Sequence, residues 1–182
     1  LVLVGASGWP EPAEAQEDEP FIFKLMRNET VRPLIRDIDT TAMVREGLEA
    51  SFVDTSLVTD EMVARYVELS RAPGNRDALL DIIVMDREKY YASSEKLSAI
   101  TVPTLILHGD QDNLVPVEGA KLFEAAIKGS EAIIYENIGH IPQEEIPARS
   151  VADLKAFLEG IAVETAEPEA IGGASELDPV NN

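Results

Sequence analysis

An aspartate and a histidine in two consecutive loops of the second half of the chain have the residue types needed to move a proton. Asp112 follows a predicted strand over 103–107, and His140 follows the next predicted strand, over 132–135. Since adjacent parallel strands end at the same edge of a sheet, the two loops are expected to meet there. A carboxylate that accepts one ring N–H fixes the tautomer of an imidazole and stabilises the protonated ring, as general-base catalysis requires. The alternative is that Asp112 and its neighbour Asp110 are ordinary turn acids and His140 is a loop histidine.

The predicted strands and helices around these loops alternate. Continuous apolar runs indicate strands at 1–4, 103–107 and 132–135, and apolar periodicity indicates helices at 117–128 and 147–159, each ended by a glycine. Strands that alternate with helices are typical of an α/β fold with a parallel sheet and right-handed crossovers. The opening run 1–4 is continuous rather than alternating, which predicts a strand buried on both faces with neighbours on both sides.

The middle and the end of the chain have different patterns. Within residues 17–100 the apolar residues follow the helical period and fit four amphipathic helices, near 21–26, 43–52, 62–69 and 79–84. The last stretch, 163–182, is rich in Ala, Glu, Pro, Gly and Asn. It cannot bury enough apolar surface to offset its ordering entropy, which predicts disorder.

Two motifs give these elements a family resemblance. The loop 108–116, with the sequence HGDQDNLVP, resembles the G-x-x-D-x-x-V-P acid loop of α/β-hydrolase-fold enzymes. The sequence GHIP at 139–142, with Glu145 and Pro147, resembles their histidine loop. The resemblance covers residues 1–160 and implies α/β architecture: the C-terminal part of an α/β-hydrolase parallel sheet with an inserted α-helical cap. The implied divisions are a core strand and cap entry at 1–12, a helical cap at 13–100, a C-terminal core with both loops at 101–162, and a disordered acidic tail at 163–182.

The resemblance also implies roles for single residues. Asp112 matches the acid of a catalytic triad, His140 matches its general base, and Asp110 has a structural role. His108 matches a variable position before the loop glycine, and we interpret it as a packing or polar lining residue. Trp9 is a candidate to line a substrate pocket between cap and sheet, although a tryptophan at a strand end is about as often a packing anchor.

The sequence contains no G-x-S-x-G segment of the kind that carries the nucleophile in this family. The nearest approach is GASGW at 5–9, where Trp9 replaces the final small residue and two prolines follow in place of a helix. Ser7 is therefore interpreted as a turn residue. In the family the nucleophile precedes the opening strand, so we expect this sequence to start in mid-fold and to lack the N-terminal half that the active site needs.

The function implied by the resemblance is hydrolysis of a small, largely apolar substrate. An ester hydrolase or a carbon–carbon hydrolase of the meta-cleavage type fits best, and an epoxide hydrolase or dehalogenase with an aspartate nucleophile fits less well. This chemistry requires no cofactor. The alternative from another class is a non-catalytic chain, either a fragment or a degenerate binding protein of the same fold.

Composition excludes several other classes of protein. The 34 acidic residues against 15 basic ones, a net charge of −19, argue against a nucleic-acid partner. The absence of cysteine excludes disulfides, thiolate metal sites and a cysteine nucleophile. Apolar runs stop far short of the roughly 20 residues that a membrane span needs, and acidic pairs without clustered histidine give no support for a metal site.

The remaining expectations concern partners and location. A small-molecule substrate is the expected partner, and a homo-oligomer is left open. A cytoplasmic location is the default prediction, since any targeting segment would precede this sequence.

Overall fold

The computed structural model describes residues 1–9, 39–84 and 91–166, and the strands in these ranges form one parallel sheet. The strands are β1 (Val2–Val4), β2 (Thr104–Gly109) and β3 (Ser130–Tyr135), in the order β1-β2-β3. Register places Leu3 opposite Ile106, and Ile106 opposite Ala132. The predicted α/β fold with a parallel sheet is confirmed.

The described helices occur in the predicted order along the chain. Their bounds are α1 (Thr41–Ser51), α2 (Asp60–Arg71), α3 (Asn75–Val84), α4 (Ser94–Ser98), α5 (Glu118–Ala126), α6 (Pro142–Glu145) and α7 (Pro147–Ala166), with a 3₁₀ turn at Thr55–Leu57. Three of the four helices predicted within 17–100 correspond to α1, α2 and α3. The first, near 21–26, lies outside the described residues. The start of α2 follows from its cap, because the Thr59 side chain accepts the Met62 N–H.

The core lies on both faces of β2, all six residues of which are buried. Side chains alternate along a strand, so Leu105 and Leu107 face Tyr135 and helix α7, whereas Ile106 packs with Phe123 of α5 on the opposite face. Full burial of each such aliphatic side chain contributes roughly 1.5–3 kcal/mol. The sheet is thus fixed from both sides, and the loops that leave β2 and β3 start from rigid positions.

Strand β1 differs from its prediction of burial on both faces between two neighbours. Among the described residues it pairs with β2 alone, and Val2 and Val4 are 36% and 37% exposed. Only Leu3, which points towards the Ile106 cluster, is partly buried. A continuous apolar run alone does not distinguish a central strand from one at the edge of the described sheet.

Helix α7 also corrects a predicted boundary. We expected a helix ended by Gly160 and disorder from residue 163, but α7 continues to Ala166. Gly160 lacks the positive φ of a helix-ending glycine, which Gly129 has at 78°. A glycine inside a helix costs only about 1 kcal/mol relative to alanine, which the surrounding turns offset. The rest of the predicted tail lies outside the described residues.

Residues 39–84, hereafter the helical segment, have an apolar cluster of their own. Leu48 and Phe52 of the α1 end pack there with Val58, Val63 and Val67. Ile141, from the loop after β3, packs against the same cluster. The helical segment therefore lies directly over the loop that carries His140.

Candidate active site

The loop between β2 and α5 folds around the carboxylate of Asp112. Its Oδ1 atom accepts the backbone N–H groups of Leu114 and Val115, both at 2.8 Å. The side chain has no solvent exposure. A carboxylate that accepts two backbone N–H groups is held in one orientation, so the position of the second oxygen, Oδ2, is fixed as well.

His140 meets this second oxygen from the loop after β3. The distance from His140 Nδ1 to Asp112 Oδ2 is 2.8 Å, and the His140 side chain is 25% exposed. Because an ionised carboxylate only accepts hydrogen bonds, the proton lies on Nδ1 and the other ring nitrogen, Nε2, is left as an acceptor. The arrangement can take a proton at Nε2 and stabilise the imidazolium that results.

The two loops meet because backbone hydrogen bonds join them along their length. Asp110 Oδ1 accepts the N–H of Asn137 at 2.6 Å, and Asn137 has a positive φ of 57° that turns the chain towards His140. The Gln111 N–H donates to the Ile138 carbonyl at 3.0 Å. The acid and histidine loops therefore meet in the structure, as predicted. The structural role expected for Asp110 corresponds to its hydrogen bond with the histidine loop.

His140 is also enclosed by residues from the other end of the chain and from the helical segment. Its backbone N–H donates to the Ser51 carbonyl at 2.8 Å. Gly139 lies so close to the same carbonyl that a Cβ atom there would overlap it. A Cβ atom on Gly5, which has a φ of +51°, would lie 2.6 Å from the His140 carbonyl oxygen and 3.0 Å from Nδ1. Both close approaches require glycine, and they hold the histidine loop against the helical segment on one side and against the end of β1 on the other.

Glu145 is a buried carboxylate that joins the histidine loop to the helical segment. Its Oε2 accepts the Gly139 N–H at 2.7 Å, and its Oε1 accepts the N–H groups of Val53 and Asp54 at 2.9 and 3.0 Å. The residue is only 8% exposed. Glu145 belongs to the histidine-loop motif, but its role could not be read from the sequence, since two of the three donors lie more than 90 residues earlier in the chain.

The neighbouring acid, Glu144, joins the same two parts of the fold at the surface. Its two carboxylate oxygens both accept from one guanidinium nitrogen of Arg65, at 3.0 and 2.9 Å. Tyr66 lies beside this pair, and burial, followed by the negative charge of Glu144, raises the pKa of its hydroxyl. Exposed ion pairs of this kind stabilise little, so Glu144 is a suitable control for Glu145.

The substitution Glu145→Gln is expected to destabilise the fold by about 1–3 kcal/mol, because one buried N–H group then faces an amide that cannot accept it. The amide oxygen of the variant is expected to face the two N–H groups of the helical segment, because one oxygen can accept both. The Gly139 N–H then faces the amide nitrogen and is left unpaired. Urea unfolding measures the loss, and faster amide exchange at Gly139 locates it. The surface substitution Glu144→Gln should have a smaller effect; equal losses in the two variants would contradict the assignment.

A third ionisable side chain, His108, lies beside the pair near the end of β2. It is fully buried, its Nε2 atom is hydrogen-bonded to the Val115 carbonyl at 3.0 Å, and the same atom lies 3.1 Å from Asp112 Oδ2. This burial and this hydrogen bond agree with the packing or polar lining position expected for His108.

A family model described as the alpha/beta hydrolase fold matches residues 1–147. The chain belongs to the α/β-hydrolase fold family. This α/β-hydrolase chain is 27% identical over 160 residues to a monoacylglycerol lipase of Mus musculus, a match that covers 84% of the chain and 46% of the relative. It is 27% identical over 106 residues to a 2-hydroxy-6-oxo-2,4-heptadienoate hydrolase of Pseudomonas putida, covering 56% of the chain and 38% of that relative.

Solved structures share the fold of this α/β-hydrolase chain. A meta-cleavage product hydrolase from Pseudomonas fluorescens superposes with a TM-score of 0.65 at 22% identity, over 88% of this chain and 55% of that one. A thermophilic esterase from Thermogutta terrifontis gives a TM-score of 0.62 at 18% identity, over 88% and 55%. The chain thus spans about half the length of these structures and less than half of the two curated relatives.

The contacts of Trp9 are with the apolar core and not with the Asp112–His140 pair. Its ring packs against Phe123 with centroids 5.8 Å apart, and it joins the apolar cluster beneath β2. The Trp9 Nε1 atom is buried without a hydrogen-bond partner. These contacts agree with the packing alternative, and a role in lining a substrate pocket stays a prediction.

Among the described residues, the remaining chemistry-bearing side chains add no further group to the site. Ser7 is exposed, and within the described ranges the hydrogen-bond partner of the His140 ring is Asp112. In the same ranges no group of three or more His, Asp or Glu side chains is arranged to hold a metal ion. No helix among those described has the length and hydropathy that crossing a bilayer requires.

Proposed function

We propose that the protein is a hydrolase in which His140 acts as the general base and Asp112 orients it. The observation that carries the proposal is the 2.8 Å contact between Asp112 Oδ2 and His140 Nδ1, with Asp112 Oδ1 held by two backbone N–H groups. This contact gives the imidazole one tautomer and a fixed direction. The names of the two curated relatives, a lipase and a hydrolase, support the same reaction class.

The nucleophile of the proposed reaction comes from residues outside the 182 of this sequence, as a serine or an aspartate. With serine, His140 Nε2 takes the hydroxyl proton while the oxygen attacks the substrate carbonyl, and the same proton then passes to the leaving group. With aspartate, His140 instead takes a proton from the water that releases the intermediate. In both cases the imidazolium is stabilised by Asp112, and no cofactor is required.

The helical segment acts as a cap over the site in this proposal. Its contacts with the histidine loop support that role. The Ser51 carbonyl accepts the His140 N–H, and Glu145 accepts two N–H groups of the helical segment. Ile141 packs against the apolar cluster of the same segment. A cap of this kind excludes water and gives a small substrate an apolar surface to bind. We therefore propose a small, largely apolar substrate with an ester or a carbon–carbon bond to be cleaved.

Turnover assays on the full-length protein test the proposal. p-Nitrophenyl butyrate reports ester hydrolysis, and a 2-hydroxy-6-oxo-dienoate reports carbon–carbon cleavage. Saturable turnover of either one is the expected result, and labelling by a fluorophosphonate separates a serine nucleophile from an aspartate. A folded full-length protein that hydrolyses neither substrate, nor other esters of short and medium acyl chains, would contradict the proposal.

A further inference from the structure

The segment GASGW at 5–9, which was interpreted as a turn, begins with a glycine that lies against the proposed base. Gly5 is buried and has a φ of +51°. A Cβ atom on it would lie 2.6 Å from the His140 carbonyl oxygen and 3.0 Å from both Cε1 and Nδ1 of the His140 ring. The ring edge that carries Nδ1, the atom bonded to Asp112, therefore lies directly beside the Gly5 backbone.

Contacts on both sides of Gly5 hold this segment in place. The Gly5 N–H donates to the Leu107 carbonyl of β2 at 3.0 Å, and the Gly8 carbonyl accepts the Ala92 N–H at 2.6 Å. Between them, Ala6 packs against the apolar cluster on the α5 face of β2. Because β2 is buried along its whole length, the backbone at Gly5 has no room to move away from the histidine loop.

His140 is held by its other contacts as firmly as Gly5 is by the sheet. Its ring donates from Nδ1 to Asp112, and its backbone N–H donates to the Ser51 carbonyl. Its own carbonyl oxygen is the atom that a Cβ at position 5 would approach most closely. A side chain at position 5 is therefore accommodated only by moving His140, which disturbs its alignment with Asp112.

We propose that Gly5 is a positioning residue, whose bare Cα is the surface that sets the His140 ring in line with Asp112 Oδ2. The inference rests on the proposed function, because Gly5 affects the reaction through the same base. A methyl group on Gly5 pushes the carbonyl and ring of His140 away from β1. This weakens the hydrogen bond from Nδ1 to Oδ2 and moves Nε2 from the point at which it takes the proton. A displacement of about 1 Å at a reacting group costs about a hundredfold in rate.

The test compares Gly5→Ala with Gly129→Ala in the full-length protein. Gly129 has a φ of 78°, so alanine meets a similar backbone penalty there. A Cβ atom on Gly129, however, would have no described atom within 4 Å. Gly129 also precedes β3, whereas His140 follows it, so the control lies at the opposite edge of the sheet.

Both alanine variants are expected to lose a few degrees of melting temperature, but only Gly5→Ala should lose activity. We expect its kcat to fall by about a hundredfold, with KM within a few-fold of the unaltered protein. Gly129→Ala should keep its kcat. An unchanged kcat in folded Gly5→Ala, or equal losses in the two variants, would overturn the proposal.

The Nδ1 proton of His140 gives a second readout, which a purely structural role of Gly5 would not move. Its NMR signal is expected to lie far downfield in the unaltered protein and in Gly129→Ala, because the proton is hydrogen-bonded to a carboxylate. In Gly5→Ala the signal should move upfield as this bond weakens. A loss of kcat with this signal unchanged would also overturn the proposal.

Two further outcomes are separated by the design. If the full-length protein turns over no substrate but the Nδ1 signal moves in Gly5→Ala alone, the proposed function fails and the positioning of the ring by Gly5 stands. If Gly5→Ala does not fold, the unaltered protein decides through the nuclear Overhauser effect between the Gly5 α-protons and the His140 Cε1 proton. A strong cross-peak supports the proposal, and its absence overturns it.

Discussion

Replacing His140 with alanine in the full-length protein is expected to lower kcat by at least about a thousandfold. The variant loses the Nε2 atom that takes the proton in the proposed reaction, together with the ring that contacts Asp112 Oδ2. The fold should persist, because the contacts that hold the loop use its backbone: the residue 140 N–H still donates to Ser51. Steady-state kinetics with p-nitrophenyl butyrate or the dienoate measure the loss, and KM should change little.

The matched control for His140→Ala is Gln143→Ala in the same loop. Gln143 is exposed and lies in α6, so its removal tests whether any truncation of this loop disturbs the site. Activity within a few-fold of the unaltered protein is expected for the control. A folded His140→Ala enzyme that keeps more than about a tenth of the original kcat would exclude His140 as the base.

The substitution Asp112→Asn is expected to lower kcat by about a hundred- to ten-thousandfold while leaving the loop in place. The amide oxygen is needed at the position of Oδ1, where the Leu114 and Val115 N–H groups require an acceptor. This places the amide nitrogen, a donor, at the position of Oδ2 and against His140 Nδ1. The His140 ring must then carry its proton on Nε2, the wrong nitrogen for a base.

Asp110→Asn is the control for this second prediction. Asp110 needs one acceptor for the Asn137 N–H, and an asparagine oxygen can supply it without changing the histidine loop. We expect kcat within about tenfold of the unaltered protein and a similar melting temperature for both asparagine variants. Equal losses of activity in the two variants would mean that the carboxylate at 112 has no special relation to His140.

The meeting of the two loops could be predicted from the sequence because it follows from sheet geometry. One helix and one strand separate Asp112, which follows β2, from His140, which follows β3. A right-handed crossover brings the ends of both strands to one edge of the sheet. The helices α1 to α3 were predictable for a similar reason, since their apolar periodicity is local. The three strands followed from short β-branched runs.

The parts that could not be predicted depend on contacts between distant segments. Glu145 accepts N–H groups from residues 53 and 54, more than 90 positions earlier, and no local pattern indicates such a bond. His108 was placed at the strand end but not against Asp112, because the direction of its ring depends on how the acid loop folds over it. The extension of α7 past Gly160 shows that a single glycine without a positive φ does not end a helix.

The most direct measurement of the Asp112–His140 relation is the tautomer of the neutral His140 ring, read from its two ring-nitrogen chemical shifts by NMR. We expect a proton on Nδ1 and a bare Nε2 in the unaltered protein, with the reverse in Asp112→Asn. A proton found on Nε2 in the unaltered protein would contradict the assignment of His140 as a base oriented by Asp112, whatever substrate the protein hydrolyses.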